Sequence, residues 1–149
     1  MEERPTRPAM ILLAEDDPGD EELTRRSFAR ARLRNELIVT RDGEQTLDFL
    51  FRRGAYAPPA HAPRPDLIML DLNMPRIDGR EVLRRIRADE SLRRIPIVVL
   101  TTSDQEADIV RAYHLGANSY ITKPVEFDKF TEVLKVAGEY WLEVVVLPS

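Results

Sequence analysis

Met10-Ile11-Leu12-Leu13-Ala14-Glu15-Asp16-Asp17-Pro18 decides the reading of this chain: an unbroken apolar run gives way at once to acids and a proline. A short apolar run bounded by turn residues reads as a strand buried on both faces, and such strands belong to parallel sheets covered by helices. The same design recurs downstream. Leu67-Ile68-Met69-Leu70 closes in Asp71, Ile97-Val98-Val99-Leu100 closes in Thr101, and Ser119-Tyr120-Ile121-Thr122 is followed by Lys123. Ligands of such sheets bind at the carboxyl ends of the strands, where the strand order reverses. Acids, a hydroxyl and an amine gathered along that edge point to divalent-metal and phosphate chemistry.

Between these runs the signals alternate. Asp17-Pro18 is a helix start, with an acid at the cap and proline in the first helical position. Leu23, Ser27, Phe28 and Ala31 share one face of the helix that follows, and Asp20, Glu21, Arg25 and Arg30 point to water. Glu36–Thr40 reads as a strand, Asp42-Gly43 as the turn after it, and Leu47, Leu50 and Phe51 mark a second helix. Gly54 to Pro65 is rich in proline and alanine and reads as a long surface loop. Val82, Leu83 and Ile86 mark a third helix and Ile109, Val110 and Tyr113 a fourth; residues 118–122 form the last strand, and the last helix starts near Glu126. The expected fold is α/β: five βα units making a doubly wound, five-stranded parallel sheet with right-handed crossovers.

The bulk properties set limits. At 149 residues the chain is one domain long, and 43% apolar with 32% charged residues is ordinary for a globular protein. The absence of cysteine excludes a disulfide framework and thiolate metal sites. No apolar run is long enough to span a bilayer, and the polar N-terminus lacks the apolar core of a signal peptide, so a cytoplasmic protein without membrane contact is expected. The net charge of −4 gives no general attraction to nucleic acid. Arg84, Arg85, Arg87, Arg93 and Arg94 are interleaved with Glu81, Asp89 and Glu90, which reads as a solvated helix face rather than a DNA-binding one. His61 and His114 are isolated and read as surface residues.

The acids carry the chemistry. If the first and third strands are neighbours, Glu15, Asp16 and Asp71 repel one another unless a cation lies between them. Magnesium suits such a site, since it takes oxygen ligands and is held by one or two carboxylates plus a phosphate. Helix capping is the simpler explanation for Asp17; for Asp16 it leaves Asp71 and Lys123 unexplained. A carboxylate beside a metal can attack a phosphoryl group, with lysine and threonine receiving its oxygens.

Glu15-Asp16, Asp71, Thr101 and Lys123-Pro124, in this order, resemble the receiver domain of two-component response regulators, over roughly residues 10–137. The resemblance implies a flavodoxin-like fold with Asp71 as phosphoacceptor. It implies magnesium held by Asp16, Asp71 and the Asn73 backbone carbonyl, with Glu15 assisting through water. It further implies that Thr101 follows the phosphoryl group, that Tyr120 changes rotamer with it, that Lys123 contacts the phosphoryl oxygens, and that the Lys123-Pro124 bond is cis. The Glu-Asp-Asp-Pro start, the proline-rich loop and the tail carrying Trp141 are similar to the single-domain regulators associated with bacterial and cyanobacterial phytochromes. The expected partner is then a histidine kinase, and the narrower resemblance implies a phytochrome.

With residues 1–9 read as a lead and no output domain in the 149 residues, signalling is expected through a changed surface or by phosphorelay. The last helix carries two apolar stripes: Phe127, Phe130, Leu134, Ala137 and Trp141, and Val133, Val136, Tyr140 and Val144. One stripe covers the sheet, and the second, with residues 138–149, is expected to form a homodimer. Two rivals stand beside this reading. Haloacid-dehalogenase-type phosphotransferases place a second aspartate two residues after the nucleophile; here that residue is Asn73, which transfers no proton, so an acyl phosphate would persist as a signal and catalysis would be confined to the protein's own phosphorylation and dephosphorylation. A phosphorylation-independent interaction module would be expected to lack Asp71 or Lys123, and both are present.

Overall fold

The computed structural model describes residues 9–30, 35–60, 62–101, 114, 116, 117, 119–122, 128, 131 and 132. The expected alternation is observed through the third helix and all five strands, while the fourth-helix residues Ile109, Val110 and Tyr113 lie outside the described residues. Strands β1 (Ala9–Ala14), β2 (Asn35–Thr40), β3 (Leu67–Asp71), β4 (Ile97–Thr101) and β5 (Ser119–Thr122) form one sheet in the order β2-β1-β3-β4-β5, every pairing parallel. Helices α1 (Pro18–Arg30), α2 (Gly43–Phe51) and α3 (Gly79–Ala88) connect the first strands. β1 begins at Ala9, one residue inside the stretch read as a lead.

Alternate residues of each strand face opposite sides of the sheet, and two cores follow from that. Leu12, Ala14, Ile68, Leu70, Ile97 and Val99 pack with Leu47 and Leu50 of α2 and Val82, Leu83 and Ile86 of α3. Ile11, Leu13, Leu67, Met69, Val98 and Leu100 pack on the other side with Phe28 of α1. This is why the strands read as continuous apolar runs rather than as alternating ones.

Some readings need correction. Asp42-Gly43 is not a free turn: Asp42 caps α2, its side chain accepting from the Gln45 N–H at 2.7 Å. The Gly54–Pro65 stretch holds a short 3-10 helix, Gly54–Tyr56, whose tyrosine ring meets Phe49 edge-on at 5.2 Å. Arg87 is not a solvated member of the arginine run. It lies half-buried, donating from Nε to the Gly116 carbonyl at 2.8 Å and from one terminal nitrogen to the carbonyls of Arg93 (2.6 Å) and Ile95 (2.8 Å). A long side chain beside the apolar face can bury its stem and head when carbonyls receive every proton it turns inward. Arg84 and Arg85 do form the exposed face that was expected, and together they hold the exposed Glu81 carboxyl down to about 2.

Glu21 was expected to face water, but most of its side chain is covered where it pairs with Arg25 and Arg41. Burial alone would raise its carboxyl; hydrogen bonds from the two arginines outweigh burial and hold it below the ordinary 4.5. A carboxyl depressed in the folded state stabilises above its unfolded value and loses that contribution as pH falls through the folded value. Glu21→Gln is therefore expected to lower stability at pH 7 by about 0.5–1 kcal/mol, the partners being half exposed. The gap from wild type closes below pH 4.5, the ordinary value, and urea melts at pH 7 and pH 3 check it.

A second buried acid fixes the start of the sheet. Asp66 Oδ2 accepts from the Met10 N–H at 2.8 Å, while the Asp66 N–H donates to the Met10 carbonyl at 2.7 Å. Both residues are buried. Asp66→Ala leaves the Met10 donor without its acceptor, and the expected loss is about 2 kcal/mol, read as a lower urea midpoint at unchanged slope.

Candidate functional site

The strand order reverses between β1 and β3, so the carboxyl ends of these two strands flank a crevice. Ala14 lies level with Leu70, which sets Glu15 and Asp16 beside Asp71 at the sheet edge. Glu15 and Asp71 are 0% and 3% exposed and Asp16 is exposed; each offers one carboxylate oxygen within 4.8 Å of those of the other two. At an effective dielectric constant of about 20, each ionised pair at that range repels by about 3 kcal/mol or more. A hard, all-oxygen donor set with two members drawn from water fits a small divalent cation such as magnesium.

Local structure holds each acid in place. The Glu15 N–H donates to the Thr40 carbonyl at 2.9 Å, and a Glu15 carboxylate oxygen accepts from the Asp17 N–H at 3.2 Å. Asp17 caps α1 as expected, accepting from the Gly19 N–H at 2.9 Å. Asp71 Oδ1 accepts from the Asn73 N–H at 2.9 Å, which curls the start of the β3–α3 loop around the carboxylate. The far end of this loop returns to its origin through Gly79 N–H to the Leu72 carbonyl at 3.2 Å. There Gly79 is required: a Cβ would sit 2.5 Å from the Asp71 carbonyl oxygen.

Thr101, fully buried at the end of β4, joins the cluster through Asn73, whose side-chain amide donates to Thr101 Oγ1 at 3.1 Å. That use of the Asn73 side chain is not legible in the sequence, where the resemblance assigns only its backbone carbonyl. Tyr120 lies on β5, level with Val99, and Thr122 is level with Thr101. Lys123, Pro124 and His61 lie outside the described residues; His114 is exposed. Among the described residues no helix is long and apolar enough to cross a membrane.

The chain joins a five-stranded 2-1-3-4-5 sheet to an acid trio at its switch point and a buried threonine on the next strand, and the response regulator receiver domain matches its residues 11–135. The chain belongs to that family. This receiver domain is 40% identical over 149 residues to the response regulator Rcp1 of Synechocystis sp., covering 100% of this chain and 99% of that protein. Among solved structures, it is similar to the phosphorylated cyanobacterial phytochrome response regulator RcpA, with 42% identity, a TM-score of 0.82, and coverage of 96% of this chain and 100% of that one. The Mn(2+)-bound form of Rcp1 matches with 42% identity and a TM-score of 0.81, over 95% of this chain and 100% of that one. The receiver domain is thus a two-component response-regulator module close to phytochrome response regulators.

Proposed function

We propose that the receiver domain takes a phosphoryl group from a histidine kinase onto Asp71 and signals through the surface change that follows. The observation that carries this is the trio Glu15, Asp16 and Asp71, two of its members buried, with oxygens within 4.8 Å of one another. Asp16 and Asp71 would hold magnesium with the Asn73 carbonyl, and Glu15 would act through water. The ion supplies neutralisation of the charge that gathers on the phosphoryl oxygens.

An Asp71 carboxylate oxygen attacks phosphorus in line, the phosphorus–nitrogen bond of the phosphohistidine breaks, and the kinase imidazole departs. The product is an acyl phosphate on Asp71. Thr101, whose hydroxyl oxygen accepts from the Asn73 amide beforehand, turns its hydroxyl to donate to a new phosphoryl oxygen, to which Lys123 also donates. Tyr120 then repacks, and the edge formed by β4 and β5 becomes the two-state element biased by one local charge. Asn73 bears no proton-transfer group, so the acyl phosphate lasts as a signal rather than turning over.

Similarity to Rcp1 and RcpA supports a phytochrome kinase as the phosphodonor. The second apolar stripe of residues 126–144 supports a homodimer through the last helix and residues 138–149, in the cytoplasm. The deciding experiment is a phosphate-affinity gel of the purified protein with acetyl phosphate, with and without magnesium. A shifted band that requires magnesium is expected. No shift under either condition would overturn the reading in favour of an interaction module independent of phosphorylation.

A further inference from the structure

Arg76 lies in the β3–α3 loop, five positions after Asp71, with φ +65. A positive φ is uncommon outside glycine, asparagine and aspartate and marks a backbone that its surroundings have set. What surrounds it is the start of α2. The Arg76 guanidinium stands 3.4 Å from Asp42 Oδ2 and 3.1 Å from Glu44 Oε2, the two acids flanking Gly43. Between them the backbones touch directly, for a Cβ on Gly43 would sit 1.9 Å from the Ile77 carbonyl oxygen.

Beside the Asn73–Thr101 hydrogen bond to β4, the loop that begins at Asp71 is fastened at both ends and at its outer turn. Asp71 itself accepts from Asn73, Leu72 accepts from Gly79, and Arg76 reaches across to α2. The first two lie within the loop's own ends. The third ties its outer turn to α2, beside the Gly43–Ile77 contact and the packing of Met74 and Ile77 on the core, and through Asp42 it reaches the helix whose corner, at Thr40, also receives the Glu15 N–H.

We propose that Arg76 is a positioning residue for phosphoryl acceptance. Its ion pairs with Asp42 and Glu44 hold the outer turn of the acceptor loop, and so the place of Asn73 between Asp71 and Thr101. This rests on the reading of Asp71 as acceptor. The Arg76 side chain is 65% exposed, so the latch is modest in strength and sensitive to screening. Its effect is expected in a rate and in local opening, not in whether the protein folds.

The test takes the full chain and variants at position 76, with acetyl phosphate and magnesium as the probe. Arg76→Gln keeps the length of the side chain and removes its charge; the expected result is phosphoryl uptake slowed roughly threefold to tenfold, with the thermal midpoint near wild type. Arg76→Lys retains most of the rate. Arg76→Glu is slowest, and pairing it with Glu44→Arg recovers part of the loss, which a merely structural role would not produce. Amide hydrogen exchange of residues 73–77 in the unphosphorylated protein quickens in step with the rate lost, and at high salt wild type approaches Arg76→Gln. Wild-type uptake in Arg76→Gln, or no recovery in the charge exchange, overturns the proposal. If wild type itself takes no phosphoryl group, the acceptor reading fails and this proposal with it; faster exchange in Arg76→Gln would then report the fastening alone.

Discussion

Asp71→Asn is expected to reduce phosphoryl uptake by on the order of a thousandfold or more, since under the proposed function it removes the covalent nucleophile and leaves only what positioning and binding contribute. Asparagine keeps the shape of the side chain and can still accept from the Asn73 N–H, so the loop that Asp71 organises should stay in place. The loss is then chemical, and circular dichroism matching wild type distinguishes it from misfolding. A second readout does not need phosphate. In wild type three carboxylates converge within 4.8 Å, and a cation that binds only the folded state stabilises it by mass action. The variant retains Glu15 and Asp16 alone. The rise in thermal midpoint on adding magnesium should shrink to a small fraction of the wild-type rise, while the metal-free variant is at least as stable as wild type because one repelling charge is gone. An undiminished magnesium response in Asp71→Asn would move the cation elsewhere.

The second large effect is expected at Gly43. It occupies the first position of α2, where alanine would ordinarily be preferred by about 1 kcal/mol. Here the ideal Cβ falls 1.9 Å from the Ile77 carbonyl oxygen and 2.7 Å from its carbon, so backbone, not a yielding side chain, stands in the way. Overpacking typically costs about 1–3 kcal/mol and more where main chain cannot yield, and a clash with backbone at this distance belongs at the upper end, outweighing the propensity gain. Gly43→Ala should lose a net 2–3 kcal/mol or so on the same scales, visible as a lower urea midpoint. Displacing Ile77 also drags the acceptor loop, so magnesium affinity and phosphoryl uptake should fall together. A variant as stable as wild type would show that the β3–α3 loop yields far more readily than its close packing implies.

The sheet was legible in the sequence because burial on both faces leaves an unbroken apolar run, and each of these runs became a strand. The acids were legible because they interrupt such runs at one end. Asp42-Gly43 was misread for a physical reason: the pair suits a turn and a helix cap equally, and only the Gln45 N–H waiting at 2.7 Å separates the two. Arg87 looked like its neighbours because charge predicts solvation, whereas its burial depends on carbonyls of Arg93, Ile95 and Gly116 that tertiary structure brings to it. Arg76 gives no local signal at all, since its partners lie 32 and 34 positions upstream at Glu44 and Asp42. The assignment of Lys123, the Lys123-Pro124 bond and the apolar stripes beyond Glu126 concerns residues outside those described.

The strand order has a consequence for how the molecule is made. A ribosome delivers β1 first, yet β1 lies between β2 and β3, and its second neighbour emerges only with Leu67–Asp71. From that moment a three-stranded unit can close around β1, and Glu15, Asp16 and Asp71 are all present with β4 and β5 still to come. The outer edge of β3 stays open until Ile97–Thr101 arrives to pair with it, and an open strand edge is where nascent chains stick to one another. A cation captured by the early acids would therefore act on the growing chain as well as on the finished one, steadying the half-built sheet through the interval in which it is most exposed to aggregation.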